Sequence, residues 1–124
     1  MNVREALRKA WEMRDGPAVF ATASQDGMPN AVYVACLQLR DDGRIAVMDN
    51  YFTKTKANIQ AGTKGSVLFL TKSEESYQAK GSIEYMTSGP EYEQLKATLD
   101  EKLPRVGVAL LTVEELYSGS KKIE

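Results

Sequence analysis

The segment Asp49-Asn50-Tyr51-Phe52-Thr53-Lys54-Thr55-Lys56-Ala57-Asn58-Ile59 gathers the most chemically pointed residues of the chain. It follows an apolar strand-like run and opens a short helical stretch, Thr53 to Ala61, that closes at Gly62. Thr53 stands where an N-cap belongs, and Lys54 and Lys56 fall in the first turn, the end of a helix whose macrodipole favours anions over cations. Two ammonium groups, the Thr53 and Thr55 hydroxyls and the free N–H groups of that turn together describe an anion site, where a phosphate would reverse the unfavourable charge placement. The macrodipole penalty to be offset is only ~0.3–1 kcal/mol per charge, so the same residues also read as a solvated helix start with its lysines splayed into water.

Other candidate residues are sparser. Tyr33, Tyr51 and Phe52 either flank a flat ring system or are ordinary core and rim aromatics. Trp11 lies on a helical apolar stripe and reads as core, and Cys36, in mid-strand, reads as a small buried hydrophobe rather than a nucleophile. Asp41-Asp42 and Glu74-Glu75 sit in turn-like or polar stretches and read as solvated. The chain has no His, which removes Ser-His and Cys-His nucleophile systems, the usual neutral-pH base and the commonest metal ligand. A single Cys rules out an intramolecular disulfide and a Cys-rich zinc site. No catalytic side chain and no metal site is therefore assigned, and redox or group-transfer chemistry would have to be borrowed from a cofactor.

The elements that must position these residues fit one expected domain over 1–124. Hydrophobic residues make up 43% and charged residues 27%, an ordinary globular balance. With 16 Lys+Arg against 17 Asp+Glu the net charge is −1, which argues against nucleic acid as a partner. No apolar run approaches the ~20 residues of a membrane span and no basic-then-apolar segment opens the chain, so no membrane association and a cytoplasmic location are expected.

Val3, Ala6, Leu7, Ala10 and Trp11 form one stripe of a helix over 2–15, capped by Asn2 and stopped at Asp15-Gly16-Pro17. Three strands, 18–22, 31–39 and 44–48, joined by turns at Gln25-Asp26-Gly27 and Arg40-Asp41-Asp42-Gly43, predict a β-meander. Strands follow at 65–71 and 77–86, with Gly81 marking a bulge or a close backbone approach. A second long helix opens at Gly89-Pro90, shows Tyr92, Leu95, Leu99 and Leu103 as its apolar side, and ends at Pro104. A last strand covers 106–113, and 114–124 is expected to fray or pair weakly. The order predicts a mainly β fold, a six-stranded antiparallel barrel with flanking helices.

Several pieces, in order, resemble the FMN-binding split-barrel family related to pyridoxamine 5'-phosphate oxidase, and within it the small single-domain bacterial FMN-binding proteins. They are Gly27-Met28-Pro29, Gly43-Arg44-Ile45-Ala46-Val47, Lys54 to Ile59, Ala79-Lys80-Gly81-Ser82-Ile83-Glu84, Gly89-Pro90-Glu91-Tyr92-Glu93 and Ala109-Leu110-Leu111-Thr112-Val113. The resemblance implies a split barrel and FMN lying across a homodimer interface. It implies that Lys54, Thr55 and Lys56 hold the phosphate, at the same turn where residue chemistry alone puts Thr53 in an anion site, and that the backbone of Tyr33, Val34 and Ala35 meets the ring edge. It implies that Asp49 and Asn50 meet the ring or ribityl chain, with Ser76 or Gln78 contributing. The chain departs from the resemblance in having Pro104 or Arg105 where such proteins can carry a ring-covering aromatic. It shows no basic C-terminal segment for substrate phosphate, so oxidation of pyridoxamine phosphate is not expected, and without His it lacks the iron ligand of haem-handling relatives. What remains is a flavoprotein with a redox role toward a small-molecule or protein partner, or alternatively a non-catalytic FMN storage or sensing module.

Overall fold

The first helix begins as its sequence dictates. In the computed structural model, which describes residues 2–124, the Asn2 side chain accepts the Glu5 N–H at 2.8 Å and caps α1 (Val3–Glu12), whose Leu7 and Ala10 are buried. The chain continues through β1 (Arg14–Ala23), β2 (Pro29–Val34), β3 (Leu37–Leu39), β4 (Ile45–Asp49), α2 (Lys54–Gln60), β5 (Gly65–Thr71), β6 (Ser76–Met86), α3 (Pro90–Lys96), β7 (Gly107–Ser118) and β8 (Lys121–Ile123). The strands form one antiparallel sheet in the order β2-β1-β5-β6-β7-β4-β3, with β8 paired to β7.

That order places β2 and β3 at opposite ends of the sheet, yet only Ala35 and Cys36 lie between them. Val34 and Leu37 are three Cα steps apart, so they stand no more than about 11 Å from each other. The sheet must therefore curl until its ends nearly meet, and because no ladder joins β2 to β3 the barrel stays split there. Phe20, Ile45, Val47, Val67, Phe69, Ala79, Leu111 and Leu116 fill its interior together with Leu7 of α1. A second cluster, Ala46, Met48, Tyr92, Leu95, Val108 and Leu110, seals α3 against the outside of β4 and β7. All five residues of β4 are consequently buried.

Mainly antiparallel β structure with flanking helices matches the sequence reading, but among the described residues the strands number eight rather than six. The expected strand 31–39 is two strands, and the meander is not formed: β2 pairs with β1, and β3 pairs with β4. Side-chain alternation runs evenly to Ala35 and then loses phase, because Cys36 packs on the outer cluster while Leu37 enters the inner one. The tail does not fray. Leu116 is fully buried, and β7 runs on to Ser118 and turns at Gly119 (φ 58°) into β8. The second long helix stops at Lys96 instead of reaching Leu103. There the Thr98 hydroxyl donates to the Leu95 carbonyl at 2.7 Å and Asp100 accepts the Lys102 N–H at 2.9 Å, local bonds that compete with further helix.

The bulge expected at Gly81 is present. Lys80 pairs with Glu115 and Gly81 with Val113, leaving Glu114 as the extra residue on β7. A Cβ on Gly81 would lie 1.7 Å from the Thr112 carbonyl oxygen, a backbone atom with no room to yield. Gly81→Ala should accordingly lower unfolding free energy by roughly 3 kcal/mol or more in denaturant titration, whereas Gly62→Ala, at a turn with nothing near, should cost only the strain of its positive φ.

Candidate functional site

The split between β2 and β3 opens into a cavity of about 400 Å³. One side is the strand end and crossover, Val32 to Cys36, and the other is Met48 with the loop Asn50–Thr55 that leads into α2. Seven of the ten candidate cofactor-binding residues line it together: Tyr33, Val34, Ala35, Asn50, Thr53, Lys54 and Thr55. Val32, Cys36, Met48, Tyr51 and Phe52 complete it, and no carboxylate is among these lining residues.

The two sides differ in what they offer. β2 is an edge strand paired only to β1, so half of its backbone N–H and C=O groups face away from the sheet and remain open to a ligand. The loop side offers Lys54 and Thr53, both exposed. Thr53 occupies the N-cap position but its side chain makes no capping bond, so its hydroxyl is not consumed by the helix. Of the three aromatics singled out by sequence, Phe52 belongs to the barrel, its ring 5.9 Å from that of Phe20. Tyr33 and Tyr51 stand 79% and 75% exposed on the cavity walls.

Thr55 is a different case from Thr53. It is only 2% exposed, and its Oγ1 accepts from Asn30 Nδ2 at 3.0 Å. Asn58, one turn on, donates from Nδ2 to Thr22 Oγ1 at 2.9 Å and is also buried. These two bonds peg α2 to the β1–β2 hairpin, so within the basic segment Thr55 and Asn58 seat the helix and Lys54 is left facing outward. Positions 55, 58 and 59 are spaced i, i+3, i+4, a helical stripe already present in the sequence that would have separated Thr55 from Thr53. Lys56 is half-buried with its ammonium 5.0 Å from the centre of the Tyr85 ring.

Asp49, Lys56 and Gln78 do not line the cavity. Asp49 is 2% exposed; its Oδ1 accepts the Phe52 N–H at 2.9 Å and its Oδ2 accepts the Tyr85 hydroxyl at 2.5 Å. Burial, and then the bond to Asp49, raise the Tyr85 phenol above its ordinary pKa. Asn50 Oδ1 accepts the Arg105 N–H at 3.0 Å, and the Asp49 carbonyl accepts Val106 N–H at 2.8 Å, so the segment before β7 fastens onto the end of β4. Arg105 sits at φ 49° and turns its guanidinium back to the Glu101 and Leu103 carbonyls. Gln78 lies in a separate groove of about 430 Å³ with Ser66, Lys64, Lys80 and Glu114, its Nε2 donating to Ser66 Oγ at 3.4 Å. Tyr85 and Arg105 had no local sequence signal, since their partners are 36 and 55 residues away.

Residues 3–118 match the family model described as pyridoxamine 5'-phosphate oxidase. No curated protein matches the chain. Among solved structures it is similar to HupZ of group A Streptococcus, with a TM-score of 0.79 and 25% identity over 92% of this chain and 97% of that one. It is similar also to an FMN-binding protein from Syntrophomonas wolfei, TM-score 0.80 and 21% identity over 94% and 88% of the two chains. A heme binding protein from Mycobacterium smegmatis shares the fold at TM-score 0.73 and 15% identity, over 95% of this chain and 54% of that one.

The division of labour among the hydroxyls is measurable. Thr55→Val keeps the shape but leaves the Asn30 amide without its acceptor and should cost about 1–3 kcal/mol of stability. Thr53→Val and Lys54→Ala, on the surface, should stay within about 0.5 kcal/mol of the parent protein in the same chemical denaturation.

Proposed function

The chain belongs to the pyridoxamine 5'-phosphate oxidase family, and from that premise we propose that it binds FMN in the cavity at the barrel split and serves a redox role as a homodimer. The observation that carries this reading is the convergence, in one cavity, of an open strand edge at Tyr33–Ala35 and an outward lysine at Lys54. A flat heteroaromatic edge with alternating donors and acceptors suits the unpaired backbone of β2, and a phosphate suits Lys54 with Thr53 beside it. The apolar lining of Val32, Val34, Met48 and Phe52 suits the ring face. The cavity volume falls in the ~300–1,000 Å³ range of small-molecule sites. Bound there, FMN would supply the one- or two-electron chemistry that the side chains of this protein do not. Tyr33, Val34 and Ala35 would orient the ring, Asn50 would offer its Nδ2 donors, and Lys54 would fix the phosphate end. The part of Gln78 in such a site would require the second subunit, because its groove is separate from the cavity within one chain.

A second reading, a storage or sensing module without turnover, is favoured by one specific feature: no carboxylate lines the cavity, and the chain has no His. Reduction of bound flavin by NAD(P)H, followed in the visible spectrum, separates the two. Absorption of the purified protein together with mass spectrometry of the released ligand tests the shared premise.

Lys54→Ala removes a charge-assisted bond worth about 1.5–3 kcal/mol, so FMN affinity should fall about tenfold or more while riboflavin affinity changes little. Equal losses for the two ligands would assign Lys54 a structural role instead. The dimer has its own support and its own test. Tyr33, Val19 and Leu68 are paired across β2, β1 and β5 and so share the outer face, where Tyr33 and Leu68 are exposed beside Leu70. Sedimentation should show a dimer that Leu68→Asp weakens, and a monomer holding flavin tightly would contradict the arrangement.

A further inference from the structure

Tyr85 stands outside the cavity, on β6, and belongs to none of the motifs discussed above. Its hydroxyl donates to Asp49 Oδ2 at 2.5 Å, and the other oxygen of that carboxylate accepts the Phe52 N–H at 2.9 Å. Phe52 is the middle of the loop that walls the cavity. The place of the ring is kept open from the neighbouring strand: a Cβ on Gly107 would come within 2.6 Å of the Tyr85 hydroxyl. The far face of the interaction is equally defined, with the Lys56 ammonium over the ring at 5.0 Å.

We propose that Tyr85 is a positioning residue for the ligand cavity, acting through Asp49 to hold the Asn50–Thr55 loop in its binding shape before any ligand arrives. The inference rests on the reading of that cavity as the FMN site. Its physical basis is the demand of a buried carboxylate for partners on both oxygens. With Tyr85 in place, Asp49 is satisfied by one bond from β6 and one from the loop, so the loop amide is fixed to the barrel itself. Without the phenol, one oxygen is left bare in a 2%-exposed position. The relief nearest at hand is for the carboxylate to turn toward water, which releases Phe52. The ordering of the loop would then fall due during binding, and affinity would drop although no ligand contact had been removed. Burial and the neighbouring carboxylate raise the phenol pKa, so the hydroxyl remains a donor at neutral pH.

Tyr85→Phe isolates the hydroxyl, because the ring that carries Lys56 remains. The first measurement is amide hydrogen exchange of the ligand-free protein. Phe52 N–H should exchange about tenfold faster in Tyr85→Phe, while barrel amides such as those of Val67 and Val108 keep their protection. A uniform rise across the barrel, or no change at Phe52, overturns the proposal. The second is titration with FMN and with riboflavin. Both affinities should fall alike, by about tenfold, with the stoichiometry unchanged, since the loop and not the phosphate is affected. Loss confined to FMN, or no loss, overturns it. If Tyr85→Phe folds poorly, Asp49→Asn replaces it. The asparagine Oδ1 keeps an acceptor for Phe52, so this variant should retain most Phe52 protection where Asp49→Ala loses it, and equal protection in both overturns the proposal. Should the parent protein bind neither flavin, the functional reading falls, and the exchange experiment alone decides whether Tyr85 sets the loop.

Discussion

Two residues, Ala35 and Cys36, join the opposite ends of an eight-stranded sheet, and most of what is distinctive in the molecule follows from that short tether. A sheet whose first and last strands are held within about 11 Å has to roll up. The rolling creates an interior filled by packed side chains, Phe20, Phe69, Val47, Val67 and Leu111 among them. Because the tether is a crossover and not a hairpin, the two edges approach without pairing. The barrel keeps one open seam, and unsatisfied backbone of β2 faces it. An exposed strand edge is ordinarily a liability. Here it is placed beside Lys54 and Thr53, where a ligand with a hydrogen-bonding edge and a charged end would satisfy both.

The seam would close or drift if α2 were not fixed, and the sequence of α2 shows how it is fixed. The helix is only seven residues long, too short to be stable by itself. It is held by two side-chain bonds, the part-buried one of Asn30 to Thr55 and the buried one of Asn58 to Thr22, and by Ile59 in the core. Such bonds specify one seating, since a slip would leave the buried Thr55, Asn58 and Thr22 groups without their partners. The lysines that looked unfavourable against the macrodipole are then explained by geometry: with residues 55, 58 and 59 turned inward, Lys54 has only the cavity side and solvent to face.

Local chemistry was legible in the sequence and long-range pairing was not. The cap at Asn2, the turns at Gly27 and Gly43, the bulge at Gly81 and the basic opening of α2 each depend on residues close in the chain, and each is where the sequence puts it. The break in 31–39 was hidden because Ala31 to Leu37 is an unbroken apolar run in which a change of phase leaves no mark; only the partners, β1 on one side and β4 on the other, reveal that it is two strands. Residues 114–124 are polar enough to suggest fraying or weak pairing, yet Leu116 is fully buried within β7 past the bulge, with Ile123 of β8 opposite it. Of the seven expected residues that line the cavity, Thr53, Lys54 and Thr55 stood out by their own chemistry as the opening of a helix, whereas Val34, Ala35 and Asn50 were named only through the family resemblance. The fastening of the loop was missed because Tyr85 reaches it from β6 and Arg105 from the segment before β7, 36 and 55 residues from their partners.

The placement of Asp49 shows why a buried carboxylate can serve a site that holds none. On the cavity wall an anion would oppose a phosphate drawn to Lys54 and would have to be desolvated with every ligand. Turned inward at the end of β4, it is met by the Tyr85 hydroxyl and the Phe52 amide, while its own carbonyl accepts the Val106 N–H and the neighbouring Asn50 side chain accepts the Arg105 N–H, both just before β7. The carboxyl group thus stiffens the loop from behind, with one protein donor on each of its oxygens. The cavity itself is left with a cation, hydroxyls, amides and apolar surface, a set that favours an anionic, flat and otherwise uncharged ligand over a cationic one.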